Sequence, residues 1–412
     1  MKWLKQRKEP ESSRDDLSRQ DTTRGAAALE NATAAVGKTV SGPDSGTASV
    51  DEPILVVEDL HVDFATQGGI LEAVRGVSFH LNAGEILGIV GESGSGKSVT
   101  AHAVMRLLAA NGRITAGRVL FGGKDVASLQ GEALRRFRCR DVAMIFQEPG
   151  RSFDPIYSIG RSLEETLRAH DPEISPEDAR ERSIKLLEEV HVSNAAGRLE
   201  NFPHQFSGGL LQRIMIAHAL AGEPAVLIAD EPTTALDVTI QAEIVELLLE
   251  IRRRRNLAIL FITHNLALIS GFADRLSVMY GGHVMEEGPS GTVLENSHHP
   301  YTAGLIAGLI PFGAHHSVDT LRILSGTPPD PLHPEPGCPF SPRCPLVSRQ
   351  CREELPPPVL EATSYRCIVA GRKDAAIFAG TETETATETE TETETATETA
   401  TETRIGPGKG SR

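Results

Sequence analysis

Through the middle of the chain, short apolar runs alternate with longer stretches of helical spacing. Ile86–Val90 (ILGIV), Val226–Ala229 (VLIA) and Ala258–Thr263 (AILFIT) are brief and almost wholly apolar, as strands buried on both faces must be. Glu177–Val190 and Ile240–Arg254 instead set Leu186, Leu187 and Val190, or Ile244, Leu247, Leu248 and Ile251, along one side of a helix. Strands alternating with helices predict an α/β domain built on a parallel sheet. A longer strand is expected over Leu55–Phe64. Residues 1–50 are polar and carry no apolar period, so they are expected to be disordered. The Thr/Glu-rich end, 371–412, is expected to be the same. Its Thr-Glu alternation is strand-like in period, but one face would be all carboxylate, and a solvated tail fits better. After about Gly291 the texture changes. Pro and Gly crowd Thr327–Pro342, and four cysteines fall between Cys338 and Cys367. A core domain over 54–290 and a small Cys-containing C-terminal module over 291–370 follow.

Charge narrows the partners. The 412 residues carry a formal charge of −15, and eight of the glutamates sit in the stretch from Thr381 to Thr403. Nothing in that balance supplies the basic face that nucleic acid asks for. No run of about 18 uninterrupted apolar residues occurs, so no spanning helix is expected. Met1–Lys8 (MKWLKQRK) is basic but leads into polar sequence, unlike a secretory signal. A cytoplasmic chain is expected.

The chemistry begins after ILGIV. Gly91-Glu92-Ser93-Gly94-Ser95-Gly96-Lys97-Ser98 fits G-x-x-x-x-G-K-[ST], between a strand and a helical run from Ser98 to Leu108. Glycines let the backbone turn tightly and aim successive N–H groups at phosphate oxygens. The helix that follows presents its positive end to the same anion. Lys97 would place a charge on the β- and γ-phosphates, and the Ser98 hydroxyl would reach Mg²⁺. A plain Gly/Ser connector would need neither the Lys-Ser pair nor these flanks. The motif alone says only that a nucleoside triphosphate is bound.

Further along, VLIA runs into Asp230-Glu231. A central strand ending beside the phosphate loop is where Mg²⁺ is held, so Asp230 is the metal-side acid. Glu231 can accept a proton from an attacking water. Ser207-Gly208-Gly209 opens the helical run Leu210–Leu220 and makes a second candidate anion site. Taken alone, an ordinary helix cap explains it better.

Order along the chain decides between these readings. Lys97, Gln147 after Val142–Phe146, Ser207-Gly208-Gly209, Asp230-Glu231, Ala235-Leu236-Asp237 and His264 after AILFIT follow one another. From about Ile54 to Gly288 this resembles the nucleotide-binding subunit of an ATP-binding-cassette (ABC) transporter. The resemblance implies a P-loop NTPase cassette with a parallel-sheet core, a helical subdomain and an antiparallel β part. It implies that Gln147 lies in a loop sensing γ-phosphate and Mg²⁺, that Ser207–Gly209 is the signature loop, that Asp237 is the D-loop acid, and that His264 is a switch histidine. One departure is Leu210, where the family commonly has Gln. Phe64 is a candidate platform for adenine, with a core role the alternative; Val74 is a candidate to pack beside the base. Rivals are weaker. A kinase would lack Ser207-Gly208-Gly209 before Asp230, and soluble ABC proteins of translation usually carry two cassettes on one chain.

A narrower resemblance rests on Gln147–Gly160 (QEPGRSFDPIYSIG), Glu231–Ala242 (EPTTALDVTIQA) and the C-terminal segment Gly326–Arg366. These look like the peptide/nickel subfamily, the oligopeptide and dipeptide importers. That implies an ATPase powering peptide uptake, with nickel or another small solute as the alternative cargo. It also implies a second ATPase subunit, two transmembrane permease subunits, an extracytoplasmic binding protein, and a peripheral place on the cytoplasmic face of the membrane. Cys338-x5-Cys344-x6-Cys351-x15-Cys367 lies in a Pro-rich segment with little core of its own. In a reducing compartment a metal centre fits better than disulfides. The spacing leaves Zn²⁺, an iron–sulfur cluster and unligated thiols open; the resemblance implies [4Fe–4S]. Lying past the cassette, the module is expected to serve docking or stability, with no part in hydrolysis. The lone Cys139 reads as structural.

Overall fold

A computed structural model describes residues 52–234, 236–309 and 324–370. Both predicted tails, 1–50 and 371–412, lie outside the described residues. In chain order the strands are β1 (Leu55–Thr66), β2 (Gly69–Leu81), β3 (Ile86–Val90), β4 (Gly112–Phe121), β5 (Lys124–Asp125) and β6 (Val142–Ile145). Then follow β7 (Val226–Asp230), β8 (Ala258–Thr263), β9 (Arg275–Tyr280), β10 (His283–Pro289), β11 (Val359–Leu360) and β12 (Ser364–Tyr365).

Two sheets result. One is antiparallel, in the order β2-β1-β4-β5. The other has the order β11-β12-β10-β9-β3-β8-β7-β6. It is parallel from β9 to β6 and antiparallel from β9 outward. Every residue of β3, β7 and β8 is buried, as continuous apolar runs require. Side-chain alternation then splits the core in two. Leu87, Ile89, Ile228 and Leu260 pack toward β1 and β2, whereas Ile86, Leu227, Ile259 and Phe261 pack toward helices on the opposite face.

The helices that matter for the site are α1 (Lys97–Val104), α2 (Ile159–His170), α3 (Pro176–Glu189), α4 (Gly208–Leu220), α5 (Val238–Arg255) and α6 (Pro300–Ala307). Leu186 and Leu187 of α3, and Ile244, Leu247, Leu248 and Ile251 of α5, are buried as their spacing predicts. Helices α2 to α5 each start from a Ser or Asp whose side chain accepts a main-chain N–H. Helix α1 is shorter than expected. It stops at Val104 because Arg106 turns left-handed at φ 52°. The Arg106 guanidinium then donates to the carbonyls of Val126 and Leu129 instead of extending a helix.

The C-terminal residues join the same framework. Strand β12 pairs with β10, setting Glu286 opposite Tyr365. Tyr301, Phe340, Cys338 and Cys351 belong to the hydrophobic cluster that also holds Ile86 and Phe261.

Candidate functional site

The phosphate loop spans the gap between the end of β3 and the start of α1. Its glycines are required by close backbone approach. At Gly91 a Cβ would stand 2.1 Å from the Met279 carbonyl oxygen, and at Gly96 (φ 98°) 2.5 Å from that of Ala73. Ser95, Gly96 and Lys97 are buried, while Ser93 and Gly94 form an exposed tip. The Lys97 ammonium donates to the carbonyls of Gly91 and Glu92, both at 2.8 Å, and to Ser95 Oγ at 3.3 Å. Burial pulls its pKa below the ordinary lysine value, opposed by the charges of Glu231, Asp230 and Glu92. Ser98 Oγ donates to Asp230 Oδ1 at 2.8 Å, joining the loop to the end of β7. Burial raises the Asp230 pKa, and the Ser98 hydrogen bond acts against it. A hydroxyl and a carboxylate so joined form an oxygen pair of the type that suits Mg²⁺.

Glu231 follows with a left-handed backbone at φ 47°, a strained conformation for a non-glycine residue. Its N–H donates to the Ile262 carbonyl at 2.9 Å, fixing the turn against β8. Two donors and a histidine nitrogen meet at one carboxylate oxygen. Glu231 Oε2 accepts from Gln147 Nε2 at 2.9 Å and Thr234 Oγ1 at 2.9 Å, and lies 3.3 Å from His264 Nδ1. The Glu231 side chain is 10 % exposed and that of His264 52 %, so the histidine reaches the acid from the solvent side. Thr234 was not singled out from sequence; its only signal is a second Thr after Glu-Pro.

Ser207–Gly209 and Asp237 gather elsewhere. Ser207 Oγ accepts from Leu210 N–H at 3.5 Å at the start of α4, and Asp237 Oδ1 accepts from Ile240 N–H at 3.0 Å at the start of α5. A Cβ at Gly209 would lie 2.7 Å from Ile240 Cγ2, so the two helix starts are side by side. Among the described residues no hydrogen bond joins this corner to residues 91–98. Phe64 is half-buried on β1, with its ring over the main chain of Gly112 on β4. Val74 is wholly buried among the core residues of β1 and β2, which leaves it no surface to set beside a base.

Comparisons with known proteins agree with this layout. Residues 74–234 match the family described as ABC transporter, and residues 285–351 match the family described as oligopeptide/dipeptide transporter, C-terminal region. The dipeptide transport ATP-binding protein DppD of Bacillus subtilis is 44% identical over 315 residues, 76% of this chain and 93% of that protein. The oligopeptide transport ATP-binding protein OppD of Haemophilus influenzae is 45% identical over 300 residues, 73% of this chain and 92% of that protein. The chain belongs to the ABC transporter ATP-binding proteins, in the oligopeptide/dipeptide branch. A bacterial ABC transporter cassette solved as a dimer shares the fold, with a TM-score of 0.52 and 25% identity over 57% of this chain and 98% of the other. No helix among the described residues is long and apolar enough to cross a membrane.

The cysteines of this ABC protein form no disulfide among the described residues. Cys338, Cys344, Cys351 and Cys367 line one small enclosed cavity, with Phe340 and Arg366 among its walls. Burial pushes the Cys338 thiol up to about 12 and Cys367 up to about 11. Among the described residues no three metal-ligating side chains are grouped closely enough to hold an ion. That finding bears on the Zn²⁺ and the [4Fe–4S] alternatives alike.

Proposed function

We propose that this chain is the ATP-hydrolysing subunit of an ABC importer of di- or oligopeptides. The observation that carries the reading is the convergence on Glu231, one residue beyond the Asp230–Ser98 pair. Lys97 and the main-chain N–H groups of the loop would bind the phosphates. Ser98, Asp230 and Gln147 would hold Mg²⁺, which supplies charge neutralisation on the transferring phosphoryl group. Glu231 accepts the proton of the water that attacks the γ-phosphorus, while the bond to the leaving ADP oxygen breaks. Gln147, Thr234 and His264 fix the carboxylate that does this.

Two candidate anion sites on one chain, with no hydrogen bond joining them among the described residues, support a composite arrangement. The phosphate loop of one subunit would be closed by Ser207–Gly209 of a second ATPase subunit, a related chain making a heterodimer. ATP sandwiched between two chains has different affinities for the open and closed dimer, which is how its binding and loss can drive a cycle. Gln147 would pass that movement to two permease subunits, with an extracytoplasmic binding protein delivering the peptide. The chain would work at the cytoplasmic face of the membrane, with no nucleic-acid partner. Phe64 is the side chain for adenine to stack on.

The cysteine cavity is read as a [4Fe–4S] site. Four thiols around one space support a cluster, which needs wider ligand spacing than a single ion does. Its part would be structural, and no step of hydrolysis passes through it.

The test of the transport reading is the chain reconstituted with its permeases and binding protein in proteoliposomes. Peptides should stimulate ATP hydrolysis and enter the vesicles. Stimulation by Ni²⁺ alone, without response to peptides, would overturn the peptide cargo.

A further inference from the structure

Glu92, the second residue of the phosphate loop, is held at all three of its polar groups. Its carbonyl accepts from Lys97 Nζ at 2.8 Å. Its N–H donates to Tyr301 Oη of α6 at 2.9 Å. Its carboxylate Oε2 accepts from Arg343 Nη1 at 2.8 Å. Two of these three partners come from the C-terminal part of the chain, and Arg343 lies 251 residues away in sequence. This part was expected to serve docking or stability, and its side chains also reach the loop.

Arg343 is built in more firmly than a surface ion pair requires. Its side chain is 5 % exposed. The same guanidinium donates to Tyr280 Oη at 2.9 Å, the Ser325 carbonyl at 2.9 Å and the Leu324 carbonyl at 3.1 Å. A planar fork serving four acceptors has little freedom left, so its grip on Glu92 is directional as well as electrostatic. Below it Tyr280, Tyr301 and Phe340 pack ring against ring, with centroids 4.4 to 5.4 Å apart. Arg343 also closes the turn that starts at Cys338. Ser341 N–H donates to the Cys338 carbonyl at 2.9 Å, and Arg343 N–H to that of Phe340 at 3.0 Å. Cys344, the next residue, faces the cysteine cavity.

A glycine-rich loop binds phosphate well only if its N–H groups already point inward. Each rotatable residue left loose is an ordering cost at binding. We infer that Arg343 is a positioning residue for ATP: paired with Glu92, and helped by Tyr301, it holds the entry of the phosphate loop in its binding geometry. The cysteine turn 338–344 thereby sets the affinity of the cradle. A simpler role, gluing the C-terminal residues to the cassette, would need the same contacts but would leave ATP affinity alone once the chain is folded.

A double-mutant cycle on the full chain separates the two roles. ATP affinity is measured by calorimetry for the wild type, R343Q, E92Q and R343Q/E92Q, with thermal melting recorded without nucleotide. Each single variant should weaken ATP about tenfold, the scale of a lost charge-assisted hydrogen bond. The double variant should be no weaker than the worse single one. In the assembled transporter carrying R343Q, KM for ATP should rise with kcat unchanged. E92Q leaves the other three bonds of Arg343 in place, so it tests the pair even if R343Q fails to fold. Singles whose effects multiply, or variants that melt earlier yet bind ATP as the wild type does, would overturn the inference. It rests on residues 91–98 binding ATP. A wild-type chain without ATP affinity would sink that reading, whereas an E92Q chain of wild-type affinity sinks only this one.

Discussion

The nucleotide end of the parallel strands and the cysteine cavity are both buried polar sites, but their polar groups are treated differently. At the nucleotide end each reactive group already has partners. Lys97 has three oxygens, Asp230 has Ser98, and Glu231 has Gln147, Thr234 and His264 within 3.3 Å. In the cavity the thiols meet weaker partners, among them the main chain of Phe340, Leu346 and Val369, which hydrogen-bonds to Cys338, Cys344 and Cys367. Cys338 Sγ has His299 Nε2 at 3.9 Å, Cys351 Sγ has Ser348 Oγ at 3.2 Å, and burial pushes three of the four thiols up. A site whose charges are balanced in advance is arranged to exchange a ligand and reset. Thiols pushed away from ionisation gain a stable charged form only from a cation that stays. One end is arranged for turnover; under the cluster reading the other would hold a resident group, with Arg343 between them.

The sharpest way to break this contrast is at Glu231. Glu231→Gln keeps the shape of the side chain and its acceptor oxygen but removes the base. Hydrolysis by the assembled transporter should fall about 10²- to 10⁴-fold while ATP still binds. Turnover near that of the wild type would remove Glu231 from the role of base.

A second, smaller effect comes from the cavity. Anaerobically purified protein should be brown and hold about four iron per chain. Cys344→Ser should remove the colour. Because Cys344 follows Arg343, it should also weaken ATP about as far as R343Q does, roughly tenfold. Metal analysis and calorimetry on the same samples check both. Zinc in place of iron would overturn the cluster. Loss of colour with unchanged ATP affinity would keep the cluster and cut the link to the phosphate loop.

The two ends also differ in how far they could be read from sequence. The phosphate loop is contiguous, and its residue types follow from what phosphate needs, so G-x-x-x-x-G-K-S between a strand and a helix places Lys97 and Ser98 directly. Strands β3, β7 and β8 were legible because parallel strands covered on both faces are uninterrupted apolar runs. Gln147 and His264 carry no local signal and stood out only through their order along a family pattern. Val74 was misplaced because alternation along β2 turns it into the core, which a short motif does not reveal. Helix α1 was drawn too long because nothing in the apolar spacing marks Arg106 as a left-handed stop. Tyr301 and Arg343 were missed altogether. Their partner is Glu92, some two hundred residues earlier, and no periodicity spans such a distance. The one faint signal was the oddity of each residue: a tyrosine in a short, largely apolar helix, and an arginine between Pro342 and Cys344.

The smallest predicted effect sharpens the bridge between the ends. Tyr301 is fully buried, and its ring packs on Tyr280 and Phe340. Burial holds its pKa above the ordinary tyrosine value, so the phenol stays protonated at every pH at which the protein is handled. Tyr301→Phe therefore removes one oxygen and little packing. What it strands is the N–H of Glu92, and an unpaired buried donor costs about 1–3 kcal/mol. Glu92 keeps a side-chain exposure of 25 %, so water can reach the loop and the lower end of that range applies. ATP should bind about fivefold more weakly, with Arg343–Glu92 intact and the iron content unchanged. That pairing of results is specific. A purely structural tyrosine would lower the melting temperature and leave calorimetric ATP affinity as it was. A tyrosine that positions the loop lowers ATP affinity as well, with only a small loss of melting temperature, because the ring that stabilises the fold is still present and only the bond to the cradle is gone.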